Sequence, residues 1–299
     1  LQPFFAELCT NLLQHTNSNE EGTRTIVAES LGKLALLDSS VVSKLVEQAS
    51  SGEPKVRATV TSAIKYCIVD QPHAVDEVIQ ASIGNFLSLL KDSAIEVRLA
   101  TLLTLNFIAH HKPGLIRDVL ATFLPIFYGE TKEKPELITT IQLGPFSHKV
   151  DNGLPLRQAA FECMYTLIDH CLDKLSLPEF LEHVKTGLGD VYDIKTLNCL
   201  VLVKLANKAP TSLLASLDLL VDPLKAILLT KLGDKAHQHE TDRNTEIIRS
   251  ALRSIAAIAK LNGAEEQAKF QVDLIGKTIN ASADLKTKYE AASKDSSTF

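Results

Sequence analysis

The chain has 299 residues, of which 45% are hydrophobic and 22% are charged, and its formal net charge is −5. This mild acidity, with lysines and arginines scattered rather than banded, provides no basic surface for a phosphate backbone, so we expect no nucleic-acid partner. The longest apolar runs fall well short of the roughly 20 residues that cross a bilayer, so we expect no membrane span. A chain of this length favours two domains or an elongated array over one compact core.

A short element recurs along the chain, consisting of an apolar or small residue followed by a cation. The positions seven and ten residues after each cation are apolar in every case, and this spacing places both side chains on one face of a helix. Prolines fifteen residues after three of the cations predict helix ends there. Paired helices that repeat at roughly 40 residues are typical of HEAT or armadillo solenoids. The cations are Arg24, Arg57, Arg98, Arg157, Lys195 and Arg249, at spacings of 33, 41, 59, 38 and 54 residues.

Acidic residues near these cations leave two interpretations open. Glu20 and Glu53 precede Arg24 and Arg57 by four residues, which is the spacing of solvated surface pairs worth tenths of a kcal/mol. The alternative is a buried ladder of ion pairs between successive repeats.

The longest spacing contains a segment where the helical period stops. Residues 139–151 alternate with period two on both sides of the dipeptide Gly144-Pro145, which predicts a β-hairpin. If this dipeptide is the loop, three pairs lie opposite one another on a mostly apolar face: Leu143 with Phe146, Ile141 with His148, and Thr139 with Val150.

The apolar face of this ribbon needs a cover, because an isolated two-stranded hairpin is marginally stable in water. One interpretation is that the hairpin folds back and fills a gap between repeats of its own solenoid. The other is that it projects and fills a groove on a partner. The sequence leaves both open.

Two other segments are predicted to lack regular structure. Residues 231–244 are polar and charged, which indicates a solvated loop. Residues 286–299 are predicted to be an unstructured tail, since their end lacks apolar periodicity. The chain begins at Leu1 without a methionine or a signal segment, which we interpret as a fragment boundary.

No catalytic or metal-binding motif is recognisable. The Gly-x-Ser-x-Gly, His-Glu-x-x-His and phosphate-loop patterns are absent, and so is any Cys-x-x-Cys pair. Cys163 and His170 lie seven residues apart, and a cysteine-dependent enzyme that uses them is an alternative which rapid alkylation of Cys163 would favour. Their apolar helical context predicts core side chains instead. We therefore expect a non-enzyme without cofactor or metal. The five cysteines, odd in number, indicate reduced thiols in a reducing compartment: Cys9, Cys67, Cys163, Cys171 and Cys199.

The sequence resembles the C-terminal HEAT repeats of the cullin-associated and neddylation-dissociated proteins. The resemblance covers residues 20–261, and its most specific part is the hairpin segment LGPFSHKVDNG, because a hairpin is unusual inside a helical repeat. The other segments that carry it are KVRATVTSAIKYCIVD at 55–70, DSAIEVRLATLLTL at 92–105, KPGLIRD at 112–118 and AAFECMYTLI at 159–168.

The resemblance implies a non-catalytic scaffold that binds the N-terminal helical repeats of an unneddylated cullin. It also implies competition with the substrate-receptor adaptor, with the hairpin at the adaptor site, and hence receptor exchange on cullin-RING ligases in the cytoplasm and nucleus. No membrane, nucleic acid or small-molecule substrate is implied. The partner-binding residues carried over from the resemblance are Ile141, Leu143, Gly144, Pro145, Phe146, His148 and Val150.

Taken together, the sequence predicts an all-α fold, a HEAT-repeat α-solenoid over residues 1–285 with one β-hairpin inserted at about 138–151. We expect about six helix pairs. A generic HEAT scaffold of the transport-receptor or phosphatase-scaffold type, which binds another protein on its concave face, remains an alternative.

Overall fold

The computed structural model describes residues 4–144, 146–233 and 237–295, except for the side chains of Leu143, Phe146 and Asp295. The chain divides into two compact units, Leu1–Lys174 and Leu175–Phe299. None of the described helices combines the length and the apolar composition that a membrane-spanning segment requires.

The first unit contains helices arranged in pairs. The long even-numbered helices pack side by side in the order α2, α4, α6 and α8, while α3 packs on α5. A hairpin of two strands is inserted between the two helices of the last pair. The bounds are α1 Phe5–Gln14, α2 Glu21–Leu37, α3 Ser40–Gln48, α4 Pro54–Cys67, α5 Val75–Leu87, α6 Ile95–His111, α7 Leu120–Gly129, β1 Ile138–Leu143, β2 Phe146–Asp151 and α8 Leu154–His170.

The second unit also contains helices that pack in pairs. The long helices α10 and α13 pack on each other, and α13 packs on α14. The helix α12 contacts both α9 and a π-helical segment, Phe270–Ile279. The bounds are α9 Leu177–Leu188, α10 Tyr192–Lys208, α11 Pro210–Ala215, α12 Asp218–Leu228, α13 Gln238–Ala259 and α14 Ala283–Asp295.

The predicted core positions of the repeat are confirmed. All six residues at the position seven after the cation are buried, and five of the six at the position ten after it are buried. The exception is Ala259, which is half-buried at the end of α13. Pro113 begins a short 3-10 turn and Pro210 begins α11, where the missing N–H of proline costs no helical hydrogen bond.

The recurring arginine closes the tight turn within each of the first three repeats. It is the fourth residue of α2, α4 and α6, and its Nη1 donates to the backbone carbonyls six and five residues earlier. In α4, for example, Arg57 Nη1 lies 2.8 Å from the oxygen of Ser51 and 3.1 Å from that of Gly52. The same bonds join Arg24 to Ser18 and Asn19, and Arg98 to Asp92 and Ser93.

Two of these arginines also link one repeat to the next. Arg57 Nε and Nη2 donate to Asp92 Oδ2 and Oδ1 at 2.7 and 2.8 Å, and Arg98 Nε lies 3.3 Å from Glu130 Oε1. All four side chains are at most 13% exposed. The hydrogen bonds from Arg57 hold the pKa of Asp92 below its usual range. A buried ladder between repeats is therefore present, but its acids are Asp92 and Glu130, whereas Glu20 and Glu53, the acids named from the sequence, are exposed.

The hairpin has the predicted register. β1 and β2 are antiparallel, and Leu143 lies opposite Phe146, Ile141 opposite His148 and Thr139 opposite Val150. Gly144 begins the loop with φ of +63°, a left-handed conformation that glycine adopts without steric cost. Pro145 lies outside the described residues.

The structure differs from the sequence prediction in two polar segments. The helix α13 begins at Gln238, inside the predicted loop, because Glu240 caps it by accepting a hydrogen bond from the His237 backbone N–H at 2.8 Å. The predicted tail at 286–299 is helical as far as Asp295, since Leu285 and Ala292 of α14 are only 7% and 5% exposed. Residues 296–299 lie outside the described part of the chain.

Candidate interaction site

Between residues 139 and 150, the hairpin exposes both of its faces wherever its side chains are described. On the predicted apolar face, Ile141 is 46% and Val150 36% exposed, and His148 is also exposed. On the opposite face, Gln142 and Lys149 are exposed as well. The described side chains of the predicted site therefore lie in the open rather than in the core of their own unit. Ile141 and Val150 therefore do not fill a gap between repeats of their own unit.

The predicted site residues lie together on one ribbon. Ile141, His148 and Val150 are on the same face by the strand register, with Gly144 at the tip. The backbones of Leu143 and Phe146 pair beside the tip, and the register puts both positions on the same face as Ile141. Their side chains and the whole of Pro145 lie outside what the structure describes.

A set of polar contacts fixes the base of the hairpin on the side where the chain leaves it. Asn152 donates from its backbone N–H and from Nδ2 to the carbonyl oxygen of Leu137, at 3.1 and 3.0 Å. Asp151 Oδ1 accepts from the Gly153 N–H at 2.9 Å, and Asp151 Oδ2 lies 2.7 Å from Arg157 Nη1. Arg157 is 1% exposed and the Asp151 side chain is 24% exposed, so a buried guanidinium meets a partly exposed carboxylate.

The chain enters the hairpin through a second cluster of charges. Glu130 Oε1 lies 2.6 Å from Lys134 Nζ and 3.3 Å from Arg98 Nε, and the carboxylate side chain is 5% exposed. Because Arg98 belongs to α6, this contact ties the segment before β1 to the preceding repeat. Both ends of the hairpin are thus fixed by ion pairs with buried arginines, whereas Ile141 and Val150 between them are exposed.

A groove on the row of even-numbered helices was not predicted from the sequence. Two adjoining cavities of about 270 and 300 Å³ lie along α2, α4, α6 and α8. Lys65 and Leu103 line both, and Leu103 is 43% exposed. Lys65 Nζ lies 5.0 Å from the ring centre of Tyr66 and 5.9 Å from that of Phe107. The sequence does carry a signal for this groove, because α6 is apolar on a second face. Leu99, Leu103 and Phe107 recur there at intervals of four residues.

The candidate thiol chemistry has no support in the structure. Cys163 is fully buried, and burial raises the pKa of its thiol well above its ordinary value. The thiolate that a nucleophilic cysteine requires is therefore disfavoured. Burial likewise raises the pKa of Cys67 to about 12 and that of Cys199 to about 12.

The histidines join repeats rather than forming a metal site. His111 Nδ1 lies 2.9 Å from Asp70 Oδ1, and the rings of His110 and His170 meet edge to face with their centres 6.0 Å apart. Among the described residues, no group of three or more His, Cys, Asp or Glu side chains is arranged to hold a metal ion.

A family model described as TIP120, TATA-binding protein interacting (TIP20), matches residues 115–288. The chain is 44% identical over 273 residues to cullin-associated NEDD8-dissociated protein 1 of Dictyostelium discoideum, covering 91% of this chain and 22% of that protein. It is 39% identical over 296 residues to cullin-associated NEDD8-dissociated protein 2 of Mus musculus, covering 99% of this chain and 24% of that protein. The chain thus spans about a quarter of the length of these relatives.

Solved structures share the fold at low sequence identity. Yeast importin-beta superposes with a TM-score of 0.67 at 12% identity, over 97% of this chain and 35% of that one. A designed armadillo repeat protein in complex with a peptide superposes with a TM-score of 0.50 at 15% identity, over 94% of this chain and 96% of that one. These similarities, with the paired helices and the single described hairpin, confirm the predicted fold class, an α-solenoid with an inserted β-hairpin.

Proposed function

Because the chain belongs to the TIP120 family, that of the cullin-associated NEDD8-dissociated proteins, we propose that it is a non-catalytic scaffold that binds a cullin. The observation that carries the proposal is the hairpin, whose apolar face is exposed at Ile141 and Val150. An exposed apolar ribbon on a rigid base suits insertion into a groove, since burying Ile141 and Val150 removes apolar surface from water at no cost in folding the ribbon.

The rigid base matters for affinity. Asp151–Arg157 on one side and Glu130–Arg98 on the other hold the ribbon before any partner arrives. A segment that is already ordered loses less conformational entropy on binding than a mobile one. The hairpin residues proposed to contact the cullin remain Ile141, Leu143, Gly144, Pro145, Phe146, His148 and Val150.

The finer proposal is that the hairpin occupies the cullin site where the substrate-receptor adaptor docks. If both bind one site on the N-terminal helical repeats of an unneddylated cullin, each weakens the apparent affinity of the other by the same factor. This reciprocal weakening promotes exchange of substrate receptors on cullin-RING ligases. We also propose that the chain acts in the cytoplasm and nucleus, and the five free buried thiols support a reducing compartment.

A competition experiment tests this proposal. The N-terminal repeats of an unneddylated cullin are immobilised, and the dissociation constant of this chain is measured at rising adaptor concentrations. We expect the apparent constant to rise in proportion to the adaptor, with binding lost at saturation. Binding that is unaffected by adaptor would contradict the competition, and absence of binding without adaptor would contradict the scaffold.

The groove beside Leu103 supports a second candidate, a HEAT scaffold that holds a different protein on the even-numbered helices. Leu103 is 43% exposed, whereas Leu102 and Leu105 of the same helix are fully buried. This candidate predicts that Leu103→Ser abolishes capture of that partner, while changes in the hairpin leave capture intact.

A further inference from the structure

The second unit holds a small cavity lined by cations. It lies between α13 and α14 and has a volume of about 170 Å³. Arg249 and Arg253 are one helical turn apart on the exposed side of α13, and Lys288 approaches from α14. Two alanines leave the space open, and the lining residues are Thr245, Arg249, Arg253, Lys288, Ala291 and Ala292.

The two arginines have no counter-charge of their own. Within the described residues, neither guanidinium has a hydrogen-bond or ion-pair partner. Of the acids on the same two helices, Asp284 pairs with the cavity's own Lys288, with 2.6 Å between Oδ2 and Nζ, and Glu246 accepts from the Tyr192 hydroxyl. Three cations around one cavity repel each other, and the single carboxylate near Lys288 offsets only one of them.

We propose that this cavity is a binding site for a phosphoryl group. A guanidinium presents its N–H donors as a planar fork that matches two oxygens of a phosphate, and here two such forks, from Arg249 and Arg253, line one cavity. A phosphomonoester carries roughly −1.5 to −2 charges at neutral pH and three acceptor oxygens, which matches the donors better than a singly charged carboxylate does. The group can be free phosphate or belong to a phosphorylated side chain. The site goes beyond the proposed function and does not depend on it.

Arginine Nε–Hε NMR signals of the whole chain test the site. Inorganic phosphate is titrated at constant ionic strength, with sodium acetate and sodium chloride as comparison salts. We expect the signals of Arg249 and Arg253 to shift saturably with phosphate only. Shifts that fail to saturate, or that acetate reproduces, would overturn the proposal.

Matched variants locate the binding. Arg249→Gln with Arg253→Gln should weaken phosphate binding at least tenfold, and Arg253→Lys, which keeps the charge but loses the fork, should weaken it severalfold. The control also removes two positive charges, one from α13 and one from α14, at positions that do not line the cavity: Arg243→Gln with Lys286→Gln. If both double variants lose the same phosphate affinity, phosphate responds only to the overall positive charge of the helices. That result would overturn the proposed site.

A second probe separates the two sources of the group. A capped tripeptide containing phosphoserine should bind as well as inorganic phosphate if the site receives a phosphorylated side chain, and its unphosphorylated form should not bind. Binding of inorganic phosphate alone supports a free-phosphate site. Equal binding of the phosphorylated and unphosphorylated peptides would overturn the proposal.

Discussion

Arg157 Nη1 lies 2.7 Å from Asp151 Oδ2, at the base of the hairpin. Arg157 is the fourth residue of α8, the position at which Arg24, Arg57 and Arg98 stand in α2, α4 and α6. Those three arginines bind the backbone of a tight turn five and six residues earlier. In the fourth repeat the hairpin replaces that turn, and the residue six positions before Arg157 is Asp151.

We predict that Asp151→Asn loosens the base of the hairpin. The change removes the negative charge that faces the buried guanidinium of Arg157, and we expect a loss of about 1–3 kcal/mol in the free energy of unfolding. Amide hydrogen exchange should accelerate in β1 and β2 and stay unchanged in α2. The measurements are chemical denaturation and exchange followed by mass spectrometry.

The matched control is Asp173→Asn, which breaks the exposed ion pair with Arg117, whose side chains are 35% and 60% exposed. Exposed pairs contribute roughly 0–1 kcal/mol. If both variants lose the same small amount and exchange in the hairpin does not change, Arg157 does not fix the hairpin.

The ladder between repeats predicts a loss of stability in acid. The pKa of Asp92 is lowered in the folded chain by its hydrogen bonds from Arg57. The folded state therefore binds this proton less readily than the unfolded state, whose Asp pKa is about 3.9. The stabilisation is present above that pH and is lost as the pH falls below about 4 toward the folded pKa.

Comparison with Asp92→Asn isolates this contribution. At pH 7 we expect the variant to be less stable than the natural chain by roughly 1–3 kcal/mol. The difference should shrink when both proteins are measured between about pH 4 and pH 3, because the natural carboxylate then loses its charge as well. A difference that is constant over this range would show that the charge on Asp92 contributes nothing.

Gly32 marks a close approach of α2 and α4. A Cβ at this position would lie 2.4 Å from Tyr66 Cβ and 2.6 Å from the oxygen of Ala63. We predict that Gly32→Ala destabilises the chain by about 1–3 kcal/mol, although alanine favours helix more than glycine does. Gly22→Ala in the same helix is the control, since a Cβ there meets nothing within 4 Å. Equal thermal midpoints of the two variants would contradict the close packing.

The cysteines give a prediction that separates the scaffold from a thiol enzyme. Cys163 and Cys171 are fully buried, and burial raises the pKa of both thiols. We expect neither to react with iodoacetamide at pH 7.5 in the folded chain, and both to react once guanidinium chloride unfolds it. Mass spectrometry of the alkylated peptides measures this. Rapid labelling of Cys163 in the folded chain would support the enzyme instead.

The sequence predicts local patterns well in this chain. The register of the hairpin follows from a period of two around Gly144-Pro145, and the buried positions follow from steps of seven and three after each cation. Both signals come from residues that are close together in the sequence. The exposure of Ile141 could not be predicted from the sequence, because exposure depends on whether an element distant in the chain covers the hairpin.

The features that the sequence did not predict depend on contacts between residues far apart in the chain. Asp92 is 35 residues from Arg57, and nothing local selects it over Glu53 as the partner. The groove beside Leu103 exists because α4, α6 and α8 leave one apolar face uncovered. The start of α13 is marked by a local signal, the hydrogen bond from the His237 backbone N–H to Glu240. The sequence prediction was wrong there because this signal lies within a run of polar residues that is typical of a loop.

The most direct test of the proposed function changes the apolar face of the hairpin at described positions. Ile141→Thr with Val150→Thr keeps β-branched residues in both strands and removes apolar surface. The control changes a pair on the opposite face, Gln142→Thr with Ser147→Thr. Affinity for the N-terminal repeats of an unneddylated cullin and the thermal midpoint are measured for both variants. We predict that the first variant binds at least tenfold more weakly with a midpoint within about 2 °C of the natural chain, because these side chains are exposed before binding. Unchanged cullin affinity in that variant would contradict the account.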